Sequence, residues 1–115
     1  MFEDELNHLN LTVDTANMYL EEGFTDLKVA SIRRLTPINA DGTPDLGRTP
    51  IFVGTTQLLT PEGPLPIQAP LTANSLQEAI EVFADTMKTA VADMMQEARR
   101  MKQEEASRII VPGRG

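Results

Sequence analysis

The sequence predicts an α+β fold in which a three-stranded antiparallel sheet, a meander, is flanked by an N-terminal helix and a long C-terminal amphipathic helix. Three observations lead to this α-β-β-β-α order. Apolar residues recur at helical spacing near the C-terminus, strand-like stretches flank a Pro-Gly turn in the middle, and a second helical repeat opens the chain. The 115 residues fit one domain, 1–115.

The C-terminal helix is predicted over residues 75–106. Ser75 and Glu78 form the S-x-x-E pattern of a capping box, and no Gly or Pro follows until Pro112. Residues 107–115 are expected to leave the helix as a tail. An apolar stripe runs along the helix at steps of three and four, and Met95 lies at its border. Its residues are Leu76, Ile80, Phe83, Met87, Val91, Met94, Met95, Ala98 and Met101.

The sheet is predicted over residues 27–71. Its first strand covers 27–38, where β-branched residues are frequent, and turn-forming residues indicate a loop over 39–49. The second strand covers 51–59. It ends at Thr60-Pro61-Glu62-Gly63, which is typical of a type I turn and predicts a hairpin.

The third strand, 65–71, alternates apolar residues with Pro64, Pro66, Gln68 and Pro70. Prolines of one parity remove backbone donors from one side only, so we expect an edge strand whose outer side is blocked. A polyproline II ligand for an SH3-type domain is the alternative reading.

The N-terminal helix is predicted over residues 1–23, because Phe2, Leu6, Leu9, Val13, Ala16 and Leu20 form one stripe of a 3.6-residue period. Gly23 would end it in the left-handed conformation. A short strand around 11–15 is the alternative, since Leu11, Val13 and two threonines occur there.

Charge and composition exclude several classes of protein. The net charge is −7, and residues 1–26 hold seven acids and no Lys or Arg, which disfavours nucleic acid and anionic membranes as partners. With no cysteine, a disulfide framework or thiolate metal site is excluded. No leader pattern and no apolar run near 20 residues occurs, so we expect a cytoplasmic protein with no membrane contact.

No catalytic, cofactor-binding or metal-binding set is predicted. His8 is the single histidine and is expected to be a solvated helix residue. The loop from Asn39 to Asp45 has alternate oxygen ligands, but prolines stand where a calcium loop needs Gly and Glu. We therefore expect no cofactor and no enzyme activity.

The length of the last helix predicts self-association. A helix over 75–106 would be about 48 Å long, whereas a compact domain of this size is roughly 35 Å across. The apolar stripe continues into the part that overhangs, where a second copy would cover it. We expect a homo-oligomer, with a dimer favoured. In the alternative, the helix bends near Met95 and folds back over its own sheet.

These observations predict a non-catalytic interaction protein: an adaptor, a small acidic chaperone or an assembly subunit, with an unknown protein partner. A small-ligand binder or enzyme with a site at the oligomer interface is one alternative.

The predicted element order, most clearly over residues 75–113, resembles the layout of the nucleoid-associated YbaB/EbfC family of small DNA-binding dimers. The resemblance concerns element order alone, and no functional residue is carried over. It implies a DNA-binding dimer as a further alternative. Independently of the resemblance, two basic clusters in the sequence could contact nucleic acid: Arg99, Arg100 and Lys102, and Arg33 and Arg34.

Overall fold

A computed structural model of the chain describes residues 2–110, with side-chain surroundings for residues 2–106. The α+β prediction is confirmed, because an antiparallel sheet is flanked by helices. The predicted strand count is wrong: the sheet has four strands, and the order is α-β-β-β-β-α. The elements are α1 (Phe2–Asn7), β1 (Met18–Thr25), β2 (Ser31–Ile38), β3 (Ile51–Thr60), β4 (Gly63–Leu71) and α2 (Leu76–Ile110).

The predicted helix over 1–23 is wrong beyond Asn7. After a 3₁₀ turn at Thr15–Asn17, the chain enters β1, whose eight residues all pair with β2 in antiparallel register. Gly23 is extended and lies opposite Arg33 rather than ending a helix. Residues 10–17 include Asn, Thr and Asp side chains that compete with helical hydrogen bonds, so the helix stops early.

Two ion pairs across β1 and β2 favour the strand over the helix. Glu21 lies 3.5 Å from Arg33 on one face of the sheet, and Glu22 lies 2.8 Å from Arg34 on the other. Cross-strand pairs of opposite charge stabilise a sheet. The two acids that would oppose the dipole at the end of a helix thus have cationic partners in a strand.

The sheet is a meander with the order β1-β2-β3-β4. A turn of two residues joins β3 to β4, with Thr60 opposite Gly63, and Gly63 takes the positive φ of 117° that a side chain would resist. The register places Pro64, Pro66 and Pro70 on one parity of β4. The predicted edge position of this strand is confirmed.

The start of α2 has the predicted capping interactions. The Glu78 backbone N–H donates to Ser75 Oγ at 3.2 Å, while Glu78 Oε1 accepts from the Asn74 backbone N–H at 2.7 Å. The helix is continuous to Ile110, four residues beyond the predicted end at 106, because nothing interrupts it before Pro112. Residues 111–115 of the predicted tail lie outside the described residues.

The core lies between α2 and one face of the sheet. Its buried side chains come from three strands and the first half of α2: Ile32, Phe52, Ile67, Leu71, Ala79, Phe83 and Met87. Gly54 of β3 allows the closest approach. A Cβ at this position would lie 3.0 Å from both Met87 Cε and Phe83 Cε1. The opposite face of the sheet carries the prolines of β4 and has no helix on it.

The loop between β2 and β3 is fixed to the sheet by Arg48. Its Nη2 donates to the backbone oxygens of Met18 and Ile38, each at 3.0 Å, and its Nε donates to Asp45 Oδ2 at 2.8 Å. The guanidinium lies over the Tyr19 ring, 4.9 Å from its centroid. The hydrogen bond from Arg48 lowers the pKa of the Asp45 carboxyl.

Replacing Gly54 by Val should destabilise the fold by about 1–3 kcal/mol, because the added side chain overpacks the contact with Phe83 and Met87. Gly23→Val is the matched control in β1, where an added Cβ meets nothing within 4 Å. Urea unfolding of both variants measures the difference. Equal stability of the two would contradict the close approach of α2 at Gly54.

Candidate protein-interaction surface

The predicted interface stripe divides into a covered half and an exposed half. Phe83 and Met87 are buried against the sheet, and three more residues pack partly against this core: Leu76, Val91 and Met94. Ile80, Met95 and Met101 are 58%, 50% and 57% exposed, and Ala98 is also exposed. The stripe residues from Met95 onward are therefore available to a partner, whereas the earlier ones, apart from the exposed Ile80, pack against the chain's own sheet.

Residues 95–106, which we call the overhang, are exposed without exception. They extend α2 past its contact with the sheet by about 18 Å at ~1.5 Å per residue. The helix is continuous through Met95, so it does not fold back there. The overhang presents apolar side chains that no other described part of the chain covers.

Charges are segregated around the second half of α2. At 100° per residue, Lys88, Met95, Arg99 and Lys102 fall on one side of the helix, which we call the basic stripe. Val91 and Ala98 border it. Among the described residues, none of its three cations forms an ion pair.

Most acids of this half of α2 lie away from the basic stripe. Asp93, Glu97 and Glu104 project from the opposite side of the helix, whereas Glu105 lies about 60° from Lys102, between the basic stripe and Met101. Arg100 lies with the first three: it pairs with Glu97 and, at 2.8 Å, with Glu104. From Lys88 to Lys102, the basic stripe itself contains cations and no acid.

An apolar groove of about 370 Å³ adjoins the basic stripe. One wall comes from β1, β2 and the turn between them, and the other from Ile80, Phe83 and Ala84 of α2. Ile80, Ala84 and Lys88 follow one another at steps of four, so the groove leads along the helix into the basic stripe.

Asp26 holds the turn that forms the outer wall of this groove. Its Oδ1 accepts the backbone N–H groups of Lys28, Val29 and Ala30 at 2.8, 3.0 and 3.0 Å. The hydrogen bond from Ala30, followed by those from Lys28 and Val29, lowers the pKa of the Asp26 carboxyl. The turn includes Leu27 at a φ of 62°, the one non-glycine with positive φ among the described residues.

The first residues of the chain form a second unpacked element. Phe2 and Leu6 share one side of α1, Leu9 follows two residues after the end of the helix, and all three are exposed. Glu3, Asp4 and Glu5 lie between them. We call residues 2–9 the acidic segment. None of its side chains is buried, so in a single chain its apolar side has no cover.

Three of the five basic residues named for the nucleic-acid alternative form ion pairs with acids. Arg33 and Arg34 pair with acids of β1, and Arg100 pairs with acids of α2. Of the five basic residues expected to contact DNA, only Arg99 and Lys102 make no ion pair within residues 2–106. The fourth strand also removes the agreement in element order with the YbaB/EbfC family.

In the part of the chain that the structure describes, potential metal-binding side chains do not form a cluster. No group of three or more His, Asp or Glu side chains there could hold a metal ion, and His8 is exposed. Neither helix within residues 2–110 is both long and apolar enough to cross a bilayer.

Comparisons of the chain with protein-family models, with curated proteins and with solved structures found no match.

The Asp26 turn should weaken as the pH falls. Because the folded state lowers the carboxyl pKa below 3.8, its hydrogen bonds stabilise the turn above that value. They are lost as the pH falls through the lower, native pKa. Amide chemical shifts of residues 28–30, followed by NMR, should report this transition, and Asp26→Asn should remove it.

Asp93→Asn is the matched control for Asp26→Asn, because Asp93 lies on α2, outside the turn, and makes none of its hydrogen bonds. An unchanged acid transition in Asp26→Asn would show that another group controls the turn.

Proposed function

We propose that the protein is a non-catalytic protein-interaction module, an adaptor, small acidic chaperone or assembly subunit, that works as a homo-oligomer through α2. The exposed apolar side of the overhang carries this proposal. Monomeric proteins rarely leave contiguous apolar surface in water, and larger patches of this kind mark interaction sites.

The dimensions of the single chain support a missing partner. The accessible surface is 9202 Å², whereas a compact monomer of 12.7 kDa would expose about 6,200 Å². The radius of gyration is 20.9 Å, compared with roughly 13 Å for a compact domain of this length. A chain this extended gains stability when a second surface covers its projecting parts.

The spacing along the overhang fits a second helix. From Met87 the apolar residues continue at steps of four, three, four and three through Val91, Met94, Ala98 and Met101. This is the 3.5-residue repeat of a coiled-coil seam. In an antiparallel pair of α2 helices, the small Ala98 of one copy would face a methionine of the other, which allows close packing.

A dimer through this seam also places two copies of the open sheet face in one particle. That face and the groove beside α2 would then be presented twice, related by a twofold axis. Such a particle suits the bridging of partners, which is the work of an adaptor or assembly subunit.

Met101→Asp should convert the oligomer to a monomer, because each copy would bury a charge in the seam. We expect the dissociation constant to rise at least about 30-fold, which corresponds to ~2 kcal/mol. Light scattering coupled to size exclusion, at two protein concentrations, measures the mass.

Leu46→Asp is the matched control, because Leu46 is another exposed apolar residue, on the loop between β2 and β3. It should leave the mass unchanged, and circular dichroism should show both variants folded. A wild-type chain that is monomeric at both concentrations would refute the proposal.

A further inference from the structure

We propose that the acidic segment of one copy docks on the basic stripe of α2 in a second copy. This inference rests on the self-association proposed above, but it assigns a different surface and a definite occupant. The seam of Met94, Ala98 and Met101 would join the helices, and the acidic segment would cover the neighbouring side of α2.

Charge complementarity identifies the occupant. Among the described residues, the basic stripe has three cations without ion pairs, Lys88, Arg99 and Lys102, and three of the four acids of residues 88–106 project from the opposite side of α2. The acidic segment has Glu3, Asp4 and Glu5, and no Lys or Arg occurs before Lys28. The acidic segment thus carries negative side-chain charge alone, and none of its side chains is buried.

The apolar side chains match as well. Phe2 and Leu6 stand on one side of α1, with Glu3 and Glu5 to either side of them. The basic stripe has Met95 between its cations and Ala98 on its border. Methionine adapts its shape to an apolar partner, so Phe2 and Leu6 can pack on Met95 while the acids reach Arg99 and Lys102.

The lengths agree. The helical part of the acidic segment, Phe2–Asn7, extends about 9 Å, and the interval from Met95 to Lys102 is about 10 Å at ~1.5 Å per residue. The acidic segment therefore covers the exposed end of the basic stripe in a single contact.

The basic stripe of one copy cannot be covered by the basic stripe of a second copy. Two stripes facing each other would bring like charges together, which is destabilising. In the single chain the acidic segment does not cover the basic stripe, because residues 2–9 and 95–106 are all exposed. A second copy can supply the segment.

Mixed-isotope NMR tests the contact directly. The chain has no cysteine, so Asn7→Cys gives one site for a nitroxide label on unenriched protein. This protein is mixed with ¹⁵N-labelled wild-type chain, so that only contacts between copies broaden the observed signals. We expect the amides of residues 95–102 to lose at least half of their intensity, and raised salt to restore it.

Exchanging the charges sharpens the test. In one variant, Glu3, Asp4 and Glu5 are all replaced by Lys; in the other, Lys88, Arg99 and Lys102 are all replaced by Glu. The first variant, carrying the nitroxide label and mixed with ¹⁵N-labelled wild-type chain, should cause no broadening. The second variant, labelled with ¹⁵N and mixed with the nitroxide-labelled chain whose acids are unchanged, should show no broadening either. The labelled first variant mixed with the ¹⁵N-labelled second variant should recover it, because the two signs are exchanged together.

Arg100→Gln is the matched control, since it removes a cation from the opposite side of α2 and should preserve the broadening. If the mixture has dimer mass but residues 95–102 are not broadened, this inference is overturned and the seam stands. Broadening that survives both charge variants also overturns it. If light scattering finds only monomer and no broadening occurs, the proposed self-association fails together with this inference.

Discussion

The contact between α2 and β3 at Gly54 is the constraint on which the rest of the structure depends. The absence of a side chain there lets Phe83 and Met87 reach the sheet, and the small core forms around them. This contact uses the first half of α2 and fixes the helix on the sheet. The direction and exposure of the second half follow from it, because a continuous helix cannot turn away once its beginning is packed.

One repeat along α2 thus has two uses. Residues up to Met94, apart from the exposed Ile80, satisfy it with the chain's own sheet, and residues from Met95 onward continue it without cover from the other described residues. The charges follow the same division. On the second half, Arg100 and its acidic partners occupy one side, whereas Lys88, Arg99 and Lys102 stand without acidic partners among the described residues on another. The element that holds this small domain together is also the one that presents the proposed association surface, so one helix would govern both stability and assembly.

The sequence predicted the elements whose signals are local. The capping box at Ser75 and the proline parity of β4 each follow from neighbouring residues, and both agree with the structure. The prediction for the N-terminal region was wrong because its apolar residues, among them Leu9, Val13 and Leu20, fit a helical period by chance. The strand depends instead on the pairing of Glu21 and Glu22 with arginines twelve positions away in the sequence. The groove and the role of Arg48 could not be predicted from the sequence either, because both depend on chain segments that meet only in the folded state.

The prolines of β4 set a limit on how such sheets could grow by joining their edges. Only β1 offers a line of backbone groups to another strand, because Pro64, Pro66 and Pro70 remove donors from the other edge. Two sheets joined through β1 would therefore present a blocked strand at each end, and a third could not be added. Edge-to-edge association of this kind would therefore stop at two copies, so the blocked edge of β4 prevents the growth of open-ended fibres.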